Sequence, residues 1–150
     1  MARAPFNVLV LPYRLGASGY EYAVFHRANV EMWQFIAGGG EGDEEPETTA
    51  KREGFEEGGI LSGARWMGLD SRASIPRTAF PGAPWAEDVY VVPEYSFAVD
   101  IGDAALSLSL EHDRFVWCGY EAACARLTWD SNRVALWELR ERLIKGLSKH

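Results

Sequence analysis

The chain has 150 residues, two of them cysteines, with 47% hydrophobic and 25% charged residues and a formal charge of −7. That length fits one compact domain, and the acidity excludes non-specific adhesion to nucleic acid or anionic membranes while still allowing a small anion whose charge a metal ion offsets. Cys118 and Cys124 fit no zinc spacing and no disulfide scaffold, so reduced thiols in a cytoplasmic protein are expected.

The apolar pattern gives the elements in order. Residues 6–15 are β-rich, residues 16–19 form a turn and residues 20–26 alternate as a partner strand, so a hairpin is expected. The run at residues 8–12 is too short for a signal peptide, and no run approaches transmembrane length. Residues 33–37 are short and apolar, then break at Gly38-Gly39-Gly40. Residues 46–58 read as a helix, with Glu45 at the N-cap, Pro46 at the first helical position and Gly58-Gly59 as the stop. Residues 64–72 read as a strand. Residues 74–88 hold three prolines, Gly82, Phe80 and Trp85, and are expected to be a long loop of the kind that often serves as a lid. Residues 89–101 carry the strongest strand signal, although Pro93 points to an edge or a break. Residues 113–117 are another strand. Residues 121–127 and 132–147 are helical, the second with apolar Val134, Leu136, Trp137, Leu139 and Leu143. No repeat or low-complexity linker interrupts this order, so residues 1–150 form a single layered α/β domain.

Residues 38–60 read GGGEGDEEPETTAKREGFEEGGI, with eight acids between Glu41 and Glu57 against Lys51 and Arg52. A helix turns about 100° per residue, so Glu53, Glu56 and Glu57 share one arc. Carboxylates crowded in this way repel one another. A hard divalent cation with oxygen ligands offsets the repulsion, and magnesium prefers that donor set. A bare acidic cluster is more often a solvated helix face. Here it follows a glycine-rich turn after an apolar strand, and Arg52 stands beside the first glutamate, able to orient carboxylates.

The segment resembles the Nudix box, G-x5-E-x7-R-E-U-x-E-E-x-G-U, where U is a bulky aliphatic residue. Gly38, Glu44, Arg52, Glu53, Glu56, Glu57, Gly59 and Ile60 stand in register, eight of nine specified positions. Gly54 departs, standing where an apolar side chain is expected. A helical glycine costs about 1 kcal/mol relative to alanine, and Gly54 shares a face with Ala50, where it lets the helix approach the sheet. The resemblance implies an α/β/α sandwich with a mixed sheet between helices. It implies that Glu53, Glu56 and Glu57 hold magnesium, with manganese as a substitute, near the backbone of Gly38. Arg52 is implied to orient them, and Glu44 to brace the loop and helix. The implied reaction is hydrolysis of a diphosphate linkage, with the cation neutralising phosphate charge and positioning water.

Outside the box, Trp33-Gln34-Phe35 is similar to the family's approach segment, with Ala37 in place of a proline. Leu110-Glu111-His112, Phe115-Val116-Trp117, Trp129 and Ser131-Asn132-Arg133 resemble the branch that includes dATP pyrophosphohydrolase and dihydroneopterin triphosphate pyrophosphatase. That likeness makes Glu111 an additional metal ligand or the general base; read alone, it is a surface acid at a strand start. Arg27 and Arg72 are candidate phosphate contacts, as is Arg77, although solvent-facing arginines are common. Trp129, with Phe80 and Trp85, is a candidate to stack a base or pterin. Asn132 and Ser131 are candidates for the pocket or for a helix cap. His112 reads as a surface histidine or a proton shuttle. The expected ligand is a nucleotide or pterin polyphosphate, with no nucleic acid and no membrane, and a homodimer is compatible with the family. The rivals are a dinucleoside polyphosphate, nucleotide-sugar or oxidised-nucleotide substrate, and a non-catalytic nucleotide-binding module.

Overall fold

The computed structural model describes residues 2–146. Strand β1 (Arg3–Gly16) is its axis. Val8, Val10, Leu9 and Leu11 are all buried, the signature of a strand covered on both faces. Val8 and Val10 pack with Ala50, Ile60 and Phe97. Leu9 and Leu11 pack on the opposite side with Ala123, Leu136 and Leu139. Each such side chain contributes about 1.5–3 kcal/mol on burial. Period-two alternation along this one strand thus divides the core into two layers.

The other strands are β2 (Gly19–Arg27), β3 (Trp33–Gln34), β4 (Ile36–Glu41), β5 (Arg65–Pro76), β6 (Val91–Asp100) and β7 (His112–Cys118). The order is β3-β2-β1-β6-β5, with β4 paired to β1 and β7 to β2. β1 and β6 are parallel, and the other pairs are antiparallel. The expected hairpin is present, closing at Gly16 opposite Gly19. Helix α1 (Pro46–Gly58) covers one face, and α2 (Tyr120–Arg126) with α3 (Asp130–Ile144) covers the other. This is the expected α/β/α sandwich with a mixed sheet. Among the described residues, no helix is long and apolar enough to cross a membrane.

Several boundaries differ from expectation. Gly38-Gly39-Gly40 is strand rather than a break, with Val8 opposite Gly38 and Asn7 opposite Gly39. The ladder to β1 holds it extended despite glycine's weak strand preference. β5 continues through Ser74 to Pro76, paired with β6, so the loop begins only after a 3-10 turn at Arg77–Ala79. Pro93 sits inside β6, one residue before the pairing with β1 begins at Glu94, so its missing N–H falls where the strand is paired on one side. α3 starts two residues early, and the expected end at Leu147 lies outside the described residues. Leu136 and Leu139 are buried as expected, with Ala135 beside them, whereas Val134 and Trp137, also expected on the apolar face, are exposed.

Helix α3 is also tied to the sheet by charge. The register of β5 against β6 shifts between Gly68 and Arg72. Glu138 accepts hydrogen bonds there from the amides of Asp70 (2.8 Å) and Ser71 (2.7 Å), while Arg142 Nε holds its other side at 2.8 Å. Burial raises the Glu138 carboxyl, but these bonds outweigh it and the net shift is downward.

Candidate active site

Helix α1 begins without a side-chain cap from Glu45. Glu44, one residue earlier, ties the end of β4 to side chains of the helix. Its Oε1 accepts from the amide of Glu41 (2.9 Å) and the hydroxyl of Thr49 (2.9 Å). Arg52 Nε and Nη2 reach Glu44 at 2.9 and 3.0 Å, a bidentate pair. The Arg52 hydrogen bonds are the main reason the Glu44 carboxyl is held down at about 2. The same guanidinium donates to the carbonyl of Gly39 (2.9 Å), to Glu53 (3.0 Å) and to Glu56 (3.2 Å). Arg52 therefore fastens α1 to β4 and spreads two carboxylates around one cation.

Glu53 and Glu57 are buried, and Glu56 is exposed. Burial first, then the charges of Glu56 and Glu57, push Glu53 up to about 7 against the pull of Arg52. Its carboxylate lies over Gly38, where a β-carbon would stand 2.1 Å from Glu53 Cδ. Gly39 makes comparable room for the guanidinium of Arg3. The glycine run is thus explained by the side chains that close on it. At the other end, Gly59 adopts φ 69°, a left-handed cap suited to glycine. A Cβ at Gly54 would meet Trp66 Cη2 at 2.8 Å, so the departure from the box admits that indole against the helix.

The second set of groups comes from the approach to β7. Ser109 donates its hydroxyl to Glu57 Oε1 and accepts from the amide of Glu111 (3.1 Å). Glu111 pairs with Arg27 Nη1 at 2.8 Å. Burial raises the Glu111 carboxyl, the nearby Glu57 raises it further, and Arg27 opposes both. It is a half-buried ion-pair member, not a surface acid. His112 is buried, contrary to the surface reading. Its Nε2 lies 3.4 Å from Gln34 Nε2, and its Nδ1 faces Glu57 Oε1 at 3.8 Å without a hydrogen bond. Burial lowers its basicity, which favours the neutral ring.

The donor set fits a hard divalent cation: its members are all carboxylates carried on one helix, and the glycine wall leaves Glu53 space. Among the described residues, no three His, Cys, Asp or Glu side chains converge as they stand. Glu56 is drawn to Arg52 and Glu57 to Ser109, so side-chain rotation is needed to gather them.

A cavity of about 650 Å³ lies on the α3 side of the sheet. Arg27, Trp129 and Asn132 line it, and so does Phe80. Arg72 does not; it is exposed and stacks over Tyr95 at 4.9 Å, a cation–π contact. Arg77 grips no outside group either. It donates to the carbonyls of Ala83, Trp85, Ala86 and Val89, knotting its own loop. Trp85 anchors that loop by donating to the carbonyl of Arg3 at 2.8 Å and meeting Phe80 edge-on. Asn132 is no helix cap: it is buried and its Oδ1 accepts the amide of Phe35 at 2.9 Å, joining α3 to the start of β4. The sequence reading missed Ser109, Asn7 and Glu94. For Glu94 a signal existed, because Val92, Glu94, Ser96 and Ala98 fall on one strand face and all are buried. For Ser109 none did.

Residues 19–137 match the family model for the NUDIX domain. A protein from Listeria monocytogenes described as a NUDIX hydrolase is 44% identical, with a TM-score of 0.89 over 98% of this chain and 99% of that one. The dihydroneopterin triphosphate pyrophosphohydrolase of E. coli is 20% identical, with a TM-score of 0.74 over 93% and 99%. An Ap4A hydrolase from C. elegans is 16% identical, with a TM-score of 0.75 over 95% and 99%. The last two likenesses establish the shared fold alone. None of the curated proteins compared matches the chain.

Proposed function

The chain belongs to the Nudix hydrolase family, and we propose that this pyrophosphohydrolase cleaves a nucleoside or pterin triphosphate to the monophosphate and pyrophosphate. The observation that carries the reading is the meeting of two distant segments. Glu57, which shares α1 with Glu53 and Glu56, adjoins Glu111 through Ser109, and Arg27 links Glu111 to the cavity. The cavity of about 650 Å³ has room for a base and sugar beside Arg27.

Glu53, Glu56 and Glu57 would hold magnesium or manganese, with Glu111 and the backbone of Gly38 beside them. When bound, the cation would neutralise phosphate charge and assist attack by water. Arg52 keeps Glu53 and Glu56 in place through bonds it also shares with Glu44. Glu111 is the group to accept the proton of the attacking water, its basicity maintained by burial and by Glu57. Arg27 orients Glu111 and stands where a phosphate chain leaves the cavity. Trp129 and Asn132 border the base.

The test is a magnesium-dependent release assay across nucleoside triphosphates, pterin triphosphate, dinucleoside polyphosphates and nucleotide sugars. Pyrophosphate release from a triphosphate supports the reading. Turnover confined to the dinucleotides or sugars would replace it, and no turnover of any compound would return the domain to a binding module.

A further inference from the structure

β6 presents an acid to the cavity. Glu94 is 5% exposed, on a strand face otherwise occupied by Val92, Ser96 and Ala98. A buried carboxylate is costly unless hydrogen-bonded. Asn7 Nδ2 donates to its Oε2 at 2.6 Å. The amide of Asn7 is itself oriented, because its Oδ1 accepts from Arg3 Nη2 at 3.2 Å. Burial raises the Glu94 carboxyl; the hydrogen bonds of Asn7 and Ser131 oppose that rise, and the net shift stays upward. Around it the cavity carries Leu9, Ile75, Phe80 and Trp129, walls suited to a flat ring.

Resting on the reading of a nucleotide or pterin substrate, we propose that Glu94 selects the ring by pairing with two adjacent N–H donors, the 2-amino-4-oxo pyrimidine edge shared by guanine and pterin. In its ionised form the carboxylate is acceptor-only and keeps lone pairs beyond those Asn7 and Ser131 use. Its two oxygens accept two parallel N–H groups in the bidentate manner of a guanidinium. Adenine sets a ring-nitrogen acceptor beside its amino group, so lone pairs face lone pairs and one contact is lost. The chain's phosphate end then runs past Arg27 toward Glu111, since both the cavity and that ion pair share Arg27.

The experiment compares kcat/KM for GTP, ITP, ATP and pterin triphosphate, and the binding of GMP, IMP and AMP by calorimetry, on the intact chain with magnesium. GTP or pterin triphosphate should exceed ATP by about 10⁴-fold, because a site built for a donor leaves its polar groups unpaired without it. ITP, which lacks the 2-amino group, should fall between them. The ratio of GTP to pterin triphosphate tells which source of the shared edge is preferred. In Glu94→Gln, with folding checked by circular dichroism, the preference for guanine over adenine should collapse. Equal use of ATP and GTP by the wild type, or a preference that survives in the folded variant, overturns the proposal while leaving triphosphate hydrolysis intact. If nothing is hydrolysed, the functional reading fails separately, and GMP binding no tighter than AMP binding overturns the base choice.

Discussion

Gly38 and the Glu53 carboxylate stand so close that a β-carbon on Gly38 would lie 2.1 Å from Glu53 Cδ. The displaced atoms are the far end of a flexible side chain. Gly38→Ala should therefore leave the fold intact while moving the carboxylate. A misplacement near 1 Å costs about 100-fold in rate, so kcat should fall by that order with little change in melting temperature. Unaltered kcat would mean that Glu53 does not act from this position.

Arg52 is predicted to tolerate no substitution by lysine. An ammonium is a point charge and cannot reproduce the two-pronged bond to Glu44 or reach Gly39, Glu53 and Glu56 together. Arg52→Lys should lower unfolding free energy by about 2 kcal/mol in urea titrations and raise the magnesium needed for half-maximal rate. Wild-type values of both would remove Arg52 as the organiser of the helix.

Acid should weaken the protein through Glu44. Its folded value of about 2 lies below its ordinary 4.5. The charge therefore stabilises the fold above the ordinary value, and that contribution disappears as pH falls toward 2. The ceiling is about 3 kcal/mol. Melting temperature should drop between pH 5 and pH 2.5 in the wild type and less steeply in Glu44→Gln. Parallel curves would contradict the assignment.

Gly54→Ala runs against the usual helix rule. Filling a helical glycine ordinarily gains about 1 kcal/mol. Here the new methyl would press on Trp66 at 2.8 Å, and the ring of a packed indole yields poorly. The substitution should fail to raise the melting temperature; a clear increase would show that Trp66 moves freely.

The layered fold was legible because β1 is a bounded apolar run and α1 carries its own signals, Pro46 at its start and Gly58-Gly59 at its stop. Glu53, Glu56, Glu57 and Arg52 were legible because helical spacing and the box motif agree. Less legible was the triple glycine, whose extended form depends on a ladder to β1 and on side chains from Arg3, Phe6 and Glu53. Arg72 and Arg77 went elsewhere because local partners, an aromatic ring and loop carbonyls, were nearer than the cavity. Asn132 looked like a cap in one dimension, yet tertiary packing brings the amide of Phe35 to it. Ser109 depends on a contact spanning 52 positions with Glu57, which no local pattern encodes.

The most direct test of the central claim is a magnesium titration of triphosphate hydrolysis by the wild type, Glu56→Gln and Glu57→Gln, each confirmed folded. The carboxylate cluster predicts metal-dependent turnover in the wild type and a sharp loss in both variants at saturating magnesium. Wild-type rates in both variants, or turnover indifferent to magnesium, would contradict the account.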